Sequence, residues 1–262
     1  MTAPVQLVPP EELLSLVDER RGPVRAFIDW AEHRETKNQS MYLANRADIT
    51  DARQAAEMYP DRWWGIVVFT CFGTINSTVT ILDILAKPVD LDTAKKLLDS
   101  VQFTRPKVGH HRIQATLRGA KTALTEACRC NVLIRRILEG PGSFHDRYQC
   151  LRAAKLEQWG RTTCFDLLVR AGALGIGGPK YEPAIAYLAE SIGPKEGFRA
   201  VWGRDVTAGN APWCEGLLQA WHHCWTGVAA RVGSPWSGRP YAPSDLENSL
   251  CIYQEGSGGR PC

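Results

Sequence analysis

The chain has 262 residues, 44% of them hydrophobic and 23% charged, a composition that excludes fibrous and wholly disordered classes and leaves room for a sizeable core. Its net charge of +3 is modest but unevenly spread: between Arg105 and Arg136, eight cations stand against one anion, Glu126. The most apolar segment, Trp63–Phe72, is about half the length needed to cross a bilayer, so no membrane partner is expected.

Helix signals recur along the chain, and strand alternation is almost absent. Pro9–Pro10 followed by Glu11 and Glu12 predicts a helix start, with proline and acids in the first turn. Gly22–Pro23 breaks that helix and opens another through Phe27, Trp30 and Ala31. Thr50–Asp51 caps a short helix that ends near Tyr59–Pro60. The run WWGIVVFTCF reads as a buried helix or, second, as a core strand, because its β-branched and aromatic content leaves the period ambiguous. Asp90–Leu91–Asp92 opens DTAKKLLDSV, which ends in the Arg105–Gly109 region. One long helix is predicted from His110 to Leu138, its apolar side formed by Ile113, Leu117, Leu124, Ala127 and Leu133. Gly140–Pro141–Gly142 ends it, and Ser143 caps the next helix. Beyond this point the helices are short, with glycine-bearing turns such as GALGIGGPK, SIGPKEG and WGRDVTAGN. The expectation is a single all-α domain over 1–254, with a disordered tail at 255–262.

Nine cysteines are unevenly spaced, and MTAPVQLVPPEELL carries no basic stretch followed by an apolar run. Together these point to reduced thiols and a cytoplasmic setting. Cys214 and Cys224 lie near His222 and His223, but the spacing is neither CxxC nor HxxxH. A tryptophan-rich core helix is expected there rather than a metal site.

The cations of the 105–136 segment are Arg105, Lys107, Arg112, Arg118, Lys121, Arg129, Arg135 and Arg136, with His110 and His111 among them. Positive charge gathered on one segment suits a phosphate backbone, Arg112 and Arg118 being the candidate contacts. The alternative is a solvated helix face.

LEQWGRTTCFDLL is the most specific local signal. A helix–hairpin–helix motif reads Leu-Pro-Gly-apolar-Gly-Arg/Lys-x-Thr-Ala, and Leu156, Trp159, Gly160, Arg161, Thr163 and Cys164 fall in register with it over about 150–172. Glu157 and Gln158 replace its Pro-Gly. Glycine lets a turn approach a phosphate, and the N–H groups opening the next helix face the anion. Arg161 adds a full charge, and Thr163 adds a hydrogen-bond donor. Trp159, at the tip, either packs in the core or wedges against a groove. Such a hairpin grips backbone and carries little sequence information; the competing reading is an ordinary helix–turn–helix of the core.

A DNA glycosylase would need more than the hairpin. A bifunctional enzyme carries a lysine nucleophile at the position of Thr162, and both types place an aspartate some twenty residues on, where this chain offers only Glu182. The iron–sulfur loop of some glycosylases, with four closely spaced cysteines near the C-terminus, is also missing. Without the aspartate, the cationic transition state of base excision has no obvious stabilising anion.

Three stretches nevertheless resemble the alpha-glutamyl/putrescinyl-thymine pyrophosphorylases, a group that includes bacteriophage amino acid:DNA transferases. They are FTCFGTINSTVTILDIL with Asn76 and Thr80, WGRTTCFDLLVRAGAL followed by YLAESIGPKEGFRAVWG, and SDLENSLCIYQ with Asp245, Glu247, Asn248 and Cys251. The resemblance implies a divergent helix–hairpin–helix glycosylase-like fold, all-α, with two helical lobes around a cleft. It also implies thymine hypermodification. An amine from an amino acid or polyamine displaces pyrophosphate from pyrophosphorylated 5-hydroxymethyluracil in double-stranded DNA. The implied site is the host cytoplasm for a phage-encoded chain.

Under that reading Asn76 is a candidate contact to the uracil edge or a core satisfier, and Asp245 and Glu247 are candidate bases. The alternative for the two acids is capping in SDLE, where Ser244 precedes Glu247 by three residues. Ser191, Gly193 and Lys195 form a candidate pyrophosphate cradle at a helix start, or else a plain turn. Asp166 either orients Arg161 or faces solvent. No cofactor is expected beyond magnesium accompanying the pyrophosphate. A base excision enzyme and a non-catalytic DNA-binding protein are the competing classes.

Overall fold

Thirteen α-helices, a short 3-10 turn and no strand make up the regular structure among the described residues of this computed structural model. Those residues are 4–37, 42, 47–101, 116–234, 236 and 238–256. In chain order the helices are α1 (Pro10–Glu19), α2 (Arg21–Thr36), α3 (Ala47–Glu57), α4 (Arg62–Phe72), α5 (Ile75–Ile84), α6 (Leu91–Ser100) and α7 (Leu117–Arg129). They continue as α8 (Asn131–Glu139), α9 (Phe144–Ala153), α10 (Arg161–Ala173), α11 (Ile192–Trp202), α12 (Ala211–Val232) and α13 (Pro243–Gly256). The all-α class is therefore observed. The chain divides into two compact units, Met1–Arg46 with Pro183–Cys262, and Ala47–Glu182.

In the Ala47–Glu182 unit the ambiguous apolar run is a helix, α4, and every residue from Trp63 to Phe72 is buried. It packs against α3, α5, α7 and α10, which is why its sequence is apolar all round rather than on one stripe. Gly65 lets α3 come close: a Cβ there would stand 2.2 Å from the Ala55 carbonyl oxygen.

The long helix predicted from His110 is interrupted. Residues 110–115 lie outside the described residues, α7 ends at Arg129, and the chain leaves helical geometry at Cys130 before α8 begins. The Asn131 side-chain amide donates to the Cys128 carbonyl at 2.7 Å, taking an acceptor that a continuous helix needs for its own backbone. The Ser143 cap is observed, completed by the Asp146 side chain.

The other unit is built on α2 and α12, with α1, α11 and α13 against them. Its core is aromatic: Trp221 stands 5.2 Å from Phe27, 4.9 Å from Trp202 and 5.2 Å from Trp225, ring centre to ring centre. The stretch around Cys214 and Cys224 is thus the tryptophan-rich core helix that its composition suggested. Gly197 faces the backbone of α13, where a Cβ would stand 2.0 Å from the Leu250 carbonyl oxygen. Of the predicted tail, 257–262 lie outside the described residues, and α13 continues to Gly256.

Candidate nucleic-acid interface

The segment between α9 and α10 is a tight turn that re-enters helix at Arg161, with Gly160 as N-cap. Gln158, standing where the motif has its first glycine, has φ 62, a left-handed backbone conformation. A side chain in that region costs roughly 1–2 kcal/mol, so the surrounding contacts must hold it.

Those contacts come from α7. Leu156 and Trp159 are 5% and 4% exposed, the turn's two apolar anchors. The Trp159 indole N–H donates to the Ala123 carbonyl at 2.9 Å, and the Glu157 backbone N–H donates to the Glu126 carboxylate at 3.3 Å. Trp159 thus spends its ring on packing rather than presenting it to a groove.

What remains on the outside is polar. Glu157, Gln158 and Gly160 are exposed, and Arg161 and Thr162 are half-buried. Among the described residues, no atom beyond its chain neighbours lies within 4 Å of where a Gly160 Cβ would be. Gly160 supplies no side-chain cap, and the N–H groups of a first turn have no partner inside their own helix. That end carries a partial positive charge of about half a proton. The Arg161 guanidinium lies over the Phe165 ring at 4.5 Å, which fixes its stem beside the opening. Thr163 is 2% exposed, so its side chain faces inward instead of offering a phosphate donor.

A groove of about 720 Å³ runs alongside, between α6 and α7. Arg118, Lys121 and Arg129 of α7 and Lys95 of α6 line it, over a floor that includes Leu91, Leu98 and Leu117. Asp99, Glu126 and the hairpin's own Glu157 are its acids, so groove and hairpin share a wall. Glu126 forms a two-point pair with Arg129, at 2.8 Å and 2.5 Å. The Arg129 guanidinium, opposed by burial and aided by the Glu157 N–H, holds the Glu126 carboxyl below its usual range.

Sequence reasoning picked out Arg118 but not Lys95. The apolar pattern of DTAKKLLDSV gives no sign that its polar face borders α7. Arg112, like Arg105, Lys107, His110 and His111, lies outside the described residues.

The remaining candidates are dispersed. Asn76 is exposed in the first turn of α5, because Gly73 (φ 69) and the Thr74 cap break the apolar run just before it. Its carbonyl accepts the Thr80 hydroxyl at 3.0 Å. A core role is thereby removed, and the surface role stays open. Asp166 lies 3.9 Å from Arg170 and is 8% exposed, so it does not face solvent. Glu182 is exposed.

Asp245, Glu247, Ser191, Gly193 and Lys195 belong to the other unit. Asp245 is 1% exposed; its carboxylate accepts the Ala242 N–H at 2.9 Å and lies 4.0 Å from Arg239. The capping role proposed for SDLE thus falls to Asp245. Glu247 is 3% exposed. Ser191 is the N-cap of α11 but makes no capping bond, since the usual donor position is Pro194, which has no N–H. Gly193 faces Cys251, whose sulfur would stand 2.4 Å from a Cβ. Its missing side chain serves helix packing rather than a phosphate, and Lys195 alone of the three is partly exposed on a side chain. Among the described residues no cluster of three or more metal-ligating side chains forms.

Compared with known proteins, the chain matches no family model, no curated protein and no solved structure.

Proposed function

We propose that the chain grips the backbone of double-stranded DNA at the α9–α10 hairpin and transfers an amine to a modified pyrimidine in it. The observation that carries the binding half is the exposed start of α10 at Gly160, with Arg161 beside it and the cations of α7 along the adjoining groove. The resemblance of three sequence stretches to the amino acid:DNA transferases supports the chemical half.

In the proposed reaction the target nucleotide is extruded from the duplex. The amine nitrogen attacks the exocyclic methylene carbon of pyrophosphorylated 5-hydroxymethyluracil. A C–N bond forms, the C–O bond breaks, and pyrophosphate leaves with the electron pair. A carboxylate takes the proton from the incoming ammonium. Asp245 and Glu247, both buried, are the two candidates for that base. Asn76, exposed on the unit that carries the α9–α10 turn, is the proposed contact to the uracil edge. Magnesium accompanying pyrophosphate is compatible with this scheme and is not required by it.

The test is mass spectrometry of nucleosides from a pyrophosphorylated 5-hydroxymethyluracil duplex incubated with the protein and either glycine or putrescine. An amine-bearing thymine is expected with one of them. Abasic sites would replace this reading with base excision, and unchanged but bound DNA across a panel of amines would leave a non-catalytic binding protein.

A further inference from the structure

Two groups on one face of α7 meet two groups of the hairpin. Ala123 and Glu126 are three residues apart, hence neighbours on the helix surface. The first accepts the Trp159 indole N–H, and the second accepts the Glu157 backbone N–H. Glu126 is 8% exposed and is also tied to Arg129. One carboxylate therefore joins the basic groove to the turn that carries the left-handed Gln158 and leads into Gly160. A turn with φ 48 at Lys155 and φ 62 at Gln158 does not hold that shape by local preference.

We infer that Glu126 is a positioning residue for DNA binding: its carboxylate oxygen holds the Glu157 N–H so that the start of α10 is presented to a phosphate. The inference rests on the DNA-binding reading given above. It runs against simple electrostatics. Glu126 is one of three acids that face four cations in the groove, and it occupies Arg129, so by charge alone its removal strengthens binding to a polyanion.

Glu126→Gln and Glu126→Met separate the two effects. Both variants are neutral and similar in volume, and both remove the charge that pairs with Arg129, but only glutamine keeps an oxygen that accepts the Glu157 N–H. Duplex affinity is measured for both at several salt concentrations, after thermal melts confirm that each is folded. Glu126→Gln is expected to bind as tightly as wild type or more so. Glu126→Met is expected to bind roughly tenfold more weakly than Glu126→Gln, the worth of one preorganising hydrogen bond, with the same salt slope. Amide hydrogen exchange at Glu157 is expected to be faster in the methionine variant alone. Equal affinities for the two variants, with wild type binding normally, overturn the inference and leave the DNA-binding reading standing. A wild-type chain that does not bind DNA overturns both.

Discussion

Arg147→Ala is expected to destabilise the Ala47–Glu182 unit by about 3–5 kcal/mol, enough to lower its melting temperature by roughly 10 °C. Arg147 is 6% exposed and donates to four carbonyls, those of Ile137 at 2.7 Å, Leu138 at 2.5 Å, Gly140 at 2.6 Å and Gly142 at 3.1 Å. These lie at and just past the end of α8, where carbonyls lack partners within the helix and a cation is favoured by the dipole. The guanidinium also lies 4.3 Å from the centre of the Tyr181 ring. Alanine leaves buried acceptors unpaired and opens a cavity between α8 and α9. Arg147→Lys keeps the charge but not the planar fork, so an intermediate loss is expected. Urea melts of the three proteins check this, and a loss below about 1 kcal/mol for alanine would show that water replaces the guanidinium without penalty.

Trp159→Ala carries the second large effect, about 3–5 kcal/mol. The ring is 4% exposed, and its N–H is satisfied by Ala123, so alanine loses both the packing and the bond that ties the hairpin to α7. Trp159→Phe keeps most of the apolar surface and is expected to lose much less. Stability and DNA affinity are to be measured on the same samples, well below the melting point. A Trp159→Ala protein of unchanged stability that no longer binds DNA would restore the groove-wedge role.

The helical class, the buried nature of α4, the Ser143 cap and the start of α1 at Pro10 were legible because each rests on local chemistry: periodicity, a capping hydroxyl, a proline at the first helical position. The turn ahead of α10 was legible from Gly160, and the structure adds a left-handed backbone at Gln158 that no glycine signals. Features set by distant partners were not legible. The interruption at Cys130 coincides with a side-chain bond from Asn131 to the Cys128 carbonyl. Asn76 looked internal because its neighbours are apolar, yet Gly73 turns the chain so that it faces outward. Gly193 suggested a phosphate cradle because glycine serves close backbone approach to either a ligand or a helix, and only the position of Cys251 distinguishes them. The joining of Met1–Arg46 with Pro183–Cys262 in one unit rests on long-range packing, which leaves no periodic trace. Glu126 read as a lone anion in a basic stretch; its tie to the hairpin needed the fold.

The central claim is that the hairpin holds DNA by its backbone, and the salt dependence of duplex affinity tests it most directly. For wild type, log K should fall linearly with log salt. For Arg161→Ala, the slope should be shallower by about 0.9, one phosphate's worth, with affinity reduced alike on unrelated sequences. Identical slopes for the two proteins, or a loss confined to one sequence, would contradict it.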